Sequence, residues 1–101
     1  MPRQKKIKLD THLVAGGYVR TAEDALRRLE MVLKNSSHKK VAHQVYEDFG
    51  RLKSLLDDSF CHDFKAEGGT DPVSPYFAHT KWRNIESGLL PAPRYKIRGL
   101  R

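Results

Sequence analysis

Val41-Ala42-His43-Gln44-Val45-Tyr46-Glu47-Asp48-Phe49-Gly50-Arg51-Leu52-Lys53-Ser54-Leu55-Leu56 holds apolar residues at 41, 45, 49, 52 and 56, advancing by four, four, three and four. That spacing keeps one stripe in step with a 3.6-residue turn and predicts an amphipathic helix opening after Ser37. Tyr46, Leu55 and Phe60 widen the stripe. Gly50 costs about 1 kcal/mol relative to alanine inside a helix and is expected to permit a close helix contact or a bend.

A second stripe lies upstream, where Ala22, Ala25, Leu26, Leu29, Val32 and Leu33 recur at three- and four-residue spacing. Thr21 reads as its N-cap, Glu23 and Asp24 put negative charge in the first turn, and Asp24 sits at the capping-box position. The reading is a helix over 22–34, closed by Asn35-Ser36-Ser37. Two amphipathic helices on so short a link are expected to pack as an antiparallel hairpin, the core of the molecule.

The flanks carry weaker signals. Lys6-Ile7-Lys8-Leu9 alternates like a half-buried strand, and Gly16-Gly17 reads as a loop. Residues 60–66 either extend the second helix or form a short one of their own, and Gly68-Gly69-Thr70-Asp71-Pro72 reads as a loop. Ser74 is then expected to cap a further helix with Pro75 at its first position, a stripe of Ala78, Trp82, Ile85 and Leu89, and Gly88 as its stop. After the stiff Pro91-Ala92-Pro93, Arg94-Tyr95-Lys96-Ile97-Arg98 alternates again. The two basic segments are expected to pair as an antiparallel ribbon, with Ile7, Leu9, Tyr95 and Ile97 inward and the cations outward. The fold class is thus mainly α: three or four helices, a helix-hairpin core and a small two-stranded ribbon from the chain ends. One domain spans 1–101, with a basic strand and loop over 1–20, the hairpin over 21–58, a third region over 59–90 and a basic tail over 91–101.

The formal charge is +7, and its placement is uneven. Arg3, Lys5, Lys6 and Lys8 at one end, and Arg94, Lys96, Arg98 and Arg101 at the other, stand among no acids. Between residues 10 and 93, eleven basic residues face twelve acids. A nearly neutral body with cationic extremities is the pattern of a polyanion-binding surface rather than of general solubility charge.

Other classes find little support. No apolar run approaches the ~20 residues of a membrane span, and the charged start lacks the hydrophobic segment of a signal peptide. A single cysteine, Cys61, fits a reducing cytoplasm. Consecutive Cys61-His62-Asp63 cannot easily converge on one ion, and His38 and His43 lack the spacing of a shared helix face, so no metal is expected. No nucleophile elbow accompanies Cys61, Asp57-Asp58 reads as a solvated pair, and Gly68-Gly69 lacks the residues of a phosphate loop. No catalytic residue, cofactor or enzymatic activity is expected.

The stretch Thr80-Lys81-Trp82-Arg83-Asn84-Ile85-Glu86-Ser87-Gly88-Leu89-Leu90-Pro91-Ala92-Pro93-Arg94 resembles the recognition-helix-to-wing junction of excisionases and mercury-resistance-regulator-type winged helices. That resemblance implies a helix-turn-helix with 60–66 as first helix, 68–72 as turn and 74–87 as second helix. The turn is longer than the usual three or four residues. Residues 15–26 are similar to the loop and helix of ribbon-helix-helix antitoxins. The expected function is a small non-enzymatic DNA-binding accessory or regulatory protein of the kind plasmids and phages carry. Lys5, Lys6, Lys8, Arg94, Lys96, Arg98 and Arg101 would hold phosphates, while Lys81 and Arg83 would reach base edges. DNA is expected ahead of RNA, and because one short helix reads few base pairs, a homodimer suits the size. The competing reading is a protein partner: a small inhibitor or adaptor of a nucleic-acid-handling complex, binding through Tyr18, Tyr46, Phe77 and His43.

Overall fold

A six-residue link, 33–38, folds the two long amphipathic segments back on each other. The computed structural model describes residues 7–66 and 74–98. Within them, α1 (Leu9–Val32) and α2 (Lys39–Asp63) form the hairpin, followed by β1 (Phe64–Ala66), α3 (His79–Glu86) and β2 (Tyr95–Ile97). Two bridges fix the antiparallel register. His43 meets Glu30 at 2.6 Å near the link, and Lys53 meets Glu23 at 2.6 Å farther along. The architecture is mainly helical with one two-stranded antiparallel sheet.

The core gathers at the end of the hairpin away from its link. Val19, Phe60, Phe64 and Tyr76 are buried together, with Leu9, Ala15, Phe49, Leu56 and Tyr95 packed against them. His12 is fully buried at the centre, edge-to-face with Phe60, Phe64 and Tyr76 at ring separations of 5.3–5.8 Å. Its Nδ1 lies 2.6 Å from the Tyr76 hydroxyl. Burial pushes that phenol up to about 12, so it keeps its proton and donates to the imidazole. Burial also lowers the pKa of His12, which therefore sits neutral.

The C-terminal segment lies across one side of the hairpin. Pro75 is buried against Gly16, where a Cβ would overlap the Pro75 backbone. Trp82 is buried, its indole N–H donating to the Ser74 carbonyl at 2.7 Å, with the Arg20 guanidinium 4.6 Å above its ring. Arg20 also meets Glu86 at 3.2 Å, and His79 meets Glu23 at 2.8 Å. Arg20–Glu86 is a charge-assisted bond in a partly buried setting, stronger there than on an open surface, and together with the His79–Glu23 contact it holds α3 against α1.

Several sequence expectations are corrected. Residues 9–20, expected as strand and loop, are the first half of α1. Gly16-Gly17 does not break the helix. Gly16 is there for the close approach of Pro75, and this packing outweighs the ~1 kcal/mol each glycine costs. Thr21 is no cap, since its hydroxyl bonds back to the Gly17 carbonyl at 2.9 Å within α1. Gly50 has nothing within 4 Å of a built Cβ, so it marks no close contact. Ser74 caps a tight turn rather than a helix: its hydroxyl binds the Asp57 carboxylate and accepts the Tyr76 N–H. Ala78, at φ 61, then blocks helical geometry, so α3 starts only at His79. The expected first helix of a helix-turn-helix, 60–66, is instead the last turn of α2 and strand β1; its turn, 68–72, lies outside the described residues. Gly88, at φ 85, ends α3 as expected: Leu89 N–H bonds Asn84 O and Gly88 N–H bonds Ile85 O, a Schellman pair.

Candidate nucleic-acid interface

The ribbon exists, with one expected strand and one unexpected. β2 pairs with β1, not with the N-terminal segment, in the register Phe64↔Ile97, Lys65↔Lys96 and Ala66↔Tyr95. Alternation explains the placement. Phe64 is buried and Tyr95 stands edge-to-face on Phe60 at 5.1 Å, so both belong to the aromatic core. The period of two then turns Lys65 and Lys96 outward, side by side and exposed.

Like charges directly opposite each other on a sheet oppose pairing. Two unit charges about 6 Å apart repel by about 0.7 kcal/mol in bulk water. No carboxylate forms an ion pair with Lys65, Arg94 or Lys96 among the described residues. A bound anion between the two lysines would turn that repulsion into attraction.

Arg98 has a different task. Its Nε–H donates to Cys61 O at 2.6 Å and to Phe64 O at 3.1 Å, and its backbone N–H to Asp63 O at 2.8 Å. The last turn of a helix leaves such carbonyls without intrahelical partners, and a cation there suits the dipole. Arg98 thus fastens the ribbon to the end of α2 and is a structural residue first.

The other expected residues are spread out. Lys8 is the exposed N-cap residue of α1, and the adjacent Leu9 packs on the same cluster as Tyr95. Lys81 and Arg83 are exposed on α3, a separate element. Lys5, Lys6 and Arg101 lie outside the described residues, as does Arg3. Lys65 was missed by sequence reasoning, because Phe64-Lys65-Ala66 was read as helix. Its signal was the brief apolar–polar–apolar alternation.

A polar cleft of about 540 Å³ lies between α1 and α3, lined by Arg20, Arg27, Arg83, Glu23, Asp24 and Glu86 among others. Its charges are largely spent. Arg20 pairs with Glu86, Arg27 with Asp24, and Glu23 with both Lys53 and His79. Such a balanced lining does not trap anions. Cys61 is exposed, and burial of its thiol group together with nearby Asp57 raises its pKa, the reverse of an activated nucleophile. No helix among the described residues is long and apolar enough to cross a membrane.

No family model matches the chain, and no solved structure matches it. One stretch is similar to a curated protein, the tRNA-2-methylthio-N(6)-dimethylallyladenosine synthase of Roseobacter denitrificans: 46% identical over 56 residues, 52% of this chain. The chain spans only 12% of that relative's length.

Proposed function

We propose that this protein is a non-enzymatic nucleic-acid-binding accessory or regulatory factor of the cytoplasm, gripping phosphates with the β1–β2 ribbon and the N-terminal cations. The supporting observation is the outward Lys65–Lys96 pair, two exposed like charges across a ribbon with no acid among the described residues paired to either. Arg94 precedes Tyr95 at the start of β2, Lys8 adjoins Leu9 on the cluster that Tyr95 also packs against, and Lys5, Lys6 and Arg101 are further candidate phosphate contacts. Duplex DNA is the first candidate ligand, since phosphate contacts of this kind are blind to sequence and sensitive to salt. Lys81 and Arg83 on α3 would then read bases. The partial likeness to a protein named for tRNA makes structured RNA the ligand to compare.

The test is fluorescence anisotropy with duplex DNA, single strands and structured RNA across a salt series. The four described cations, Lys8, Lys65, Arg94 and Lys96, would by themselves give a log–log salt slope of about −3.6 on duplex DNA. The Lys65→Gln/Lys96→Gln variant should lose at least about tenfold in affinity at low salt and flatten the slope by about 1.8. Undiminished binding by a Lys65→Gln/Arg94→Gln/Lys96→Gln variant would refute the assignment.

A further inference from the structure

The hairpin has two broad sides, and the described residues cover only one. Gly16, Arg20 and Glu23 of α1, with Lys53 and Asp57 of α2, meet the C-terminal segment. At 100° per residue, Val14, Tyr18, Ala25, Leu29 and Val32 fall on the opposite side of α1. On α2, Leu55 falls opposite Lys53 and Asp57, and Val41, Leu52 and Val45 lie about 100–140° around the helix from them. The eight large residues of these two stripes are all exposed, from 46% for Val45 to 80% for Val32. The stripes belong to one surface, because Leu29, Val41 and Val45 line a single apolar groove near the link.

We infer that this bare face is the contact surface for a second copy of the chain, stacked face to face about a twofold axis into an antiparallel four-helix assembly. Three observations single out that occupant. The first is symmetry. Val41 and Leu55 are equidistant from position 48, and Val45 and Leu52 straddle 48–49. On α1, Val14 and Val32 are equidistant from position 23, with Tyr18 and Leu29 straddling 23–24. Glu23 is bridged to Lys53 and Glu30 to His43, each at 2.6 Å, and interpolation between the two bridges puts the midpoints about one turn apart in level. One axis perpendicular to both helices can therefore stack α1 on α1 and α2 on α2.

The second is charge. Lys40, Glu47, Arg51 and Asp58 share one flank of the α2 stripe, and both Lys40/Asp58 and Glu47/Arg51 are equidistant from Phe49. The same axis thus sets Lys40 of one copy against Asp58 of the other, and Arg51 against Glu47. Neither Lys40 nor Asp58 has an ion-pair partner among the described residues. Asp48, the one charge inside the stripe, lies near the axis with Arg51 at 3.5 Å to offset it. An isolated helix prefers acids at its start and bases at its end, and Lys39, Lys40, Asp57 and Asp58 reverse that order on α2. Antiparallel pairing of two copies makes the reversed order favourable.

The third is area. The eight large apolar side chains of the two stripes, each 46–80% exposed, form a patch comparable with the roughly 800 Å² that each partner contributes to a standard interface. Apolar side chains at helical spacing pack as a bundle core when a second pair covers them.

This inference stands apart from nucleic-acid binding and is tested without any. Sedimentation equilibrium of the full chain should give twice the 11.6 kDa chain mass at micromolar concentrations. Leu52→Glu, at a site already exposed in the monomer, should give the monomer mass with an unchanged helical circular dichroism spectrum. Lys40→Glu or Asp58→Lys alone should weaken dimerisation about threefold to tenfold. The Lys40→Glu/Asp58→Lys double variant should return to within about twofold of the native constant, a rescue that nonspecific aggregation would not show. A monomer mass across the concentration range, a dimer indifferent to Leu52→Glu, or a double variant no better than the singles would overturn the proposal.

Discussion

The two halves of the hairpin have the same helical periodicity but very different surroundings. From Leu9 to Glu23 and from Phe49 to Phe64, every buried residue of α1 and α2 is found: His12, Gly16, Val19, Arg20, Lys53 and Phe60. From Asp24 to Val32 and from Lys39 to Asp48, none is buried. The link half is joined mainly by Leu26, Leu33 and Ala42 and by the His43–Glu30–Glu47 tether. An amphipathic stripe guarantees a helix that wants cover, and the chain supplies that cover to only one half. The stability of the monomer therefore resides in the aromatic half, and the link half is held by its neighbour.

The sharpest way to break this contrast is to cut a side chain from each half. Phe60 is 3% exposed among Phe64, His12 and Tyr95, whereas Leu29 is 48% exposed. Phe60→Ala should cost about 3–5 kcal/mol, because it leaves a cavity among rigid rings. Leu29→Ala, studied at concentrations where the chain is monomeric, should cost no more than about 0.5 kcal/mol. Urea unfolding followed by circular dichroism measures both. Equal losses would show that stability is shared along the hairpin.

A pair of glycines sharpens the same point. Gly16 faces the Pro75 backbone, which cannot yield as a flexible side chain would, and Gly50 faces open space. Gly16→Ala should destabilise by about 1–3 kcal/mol through overpacking, despite the better helix propensity of alanine. Gly50→Ala should stabilise by about 0.5–1 kcal/mol. Opposite signs from one chemical change would show that the C-terminal segment, not the helix itself, sets the requirement at Gly16.

These glycines also explain what could be read in the chain beforehand. The hairpin was legible because its stripes repeat over four turns, and the Gly88 stop because a left-handed residue after a helix is a local event. Gly16-Gly17 was misread as a loop, since the reason for Gly16 is Pro75, some sixty residues away. The helix start at His79 rather than Ser74 was equally hidden: the Ser74 hydroxyl is taken by Asp57, a tertiary contact that no local capping rule contains. For the candidate interface, Lys96 and Arg94 were legible as basic residues of an alternating strand. Lys65 was not, because three residues are too few to show a period, and only the partner strand gives it a face. Arg98 was legible as a cation, but its role at the end of α2 depends on carbonyls of residues 61 and 64.

Two histidines, one in each half, give the finest test. His12 is buried and its pKa is lowered by loss of solvation. Between its folded value and the unfolded value near 6.5, the unfolded chain binds the extra proton, so stability falls as pH drops below about 6.5. His43, exposed between Glu30 and Glu47, has its pKa raised, first by the hydrogen bond to Glu30 and then by that carboxylate's charge. Its contribution is complete below about 6.5 and is lost as pH rises through the raised folded value. Acidification should therefore loosen the aromatic half while the tether at the link half stays intact. Amide hydrogen exchange near pH 5, corrected for the intrinsic rate, should show protection falling around Val19 and Phe60 relative to pH 7. His43→Gln should reduce protection around Glu30 at pH 5 and leave the acid loss at Phe60 unchanged. The acid loss should itself diminish in His12→Gln, whose neutral amide cannot take up the proton.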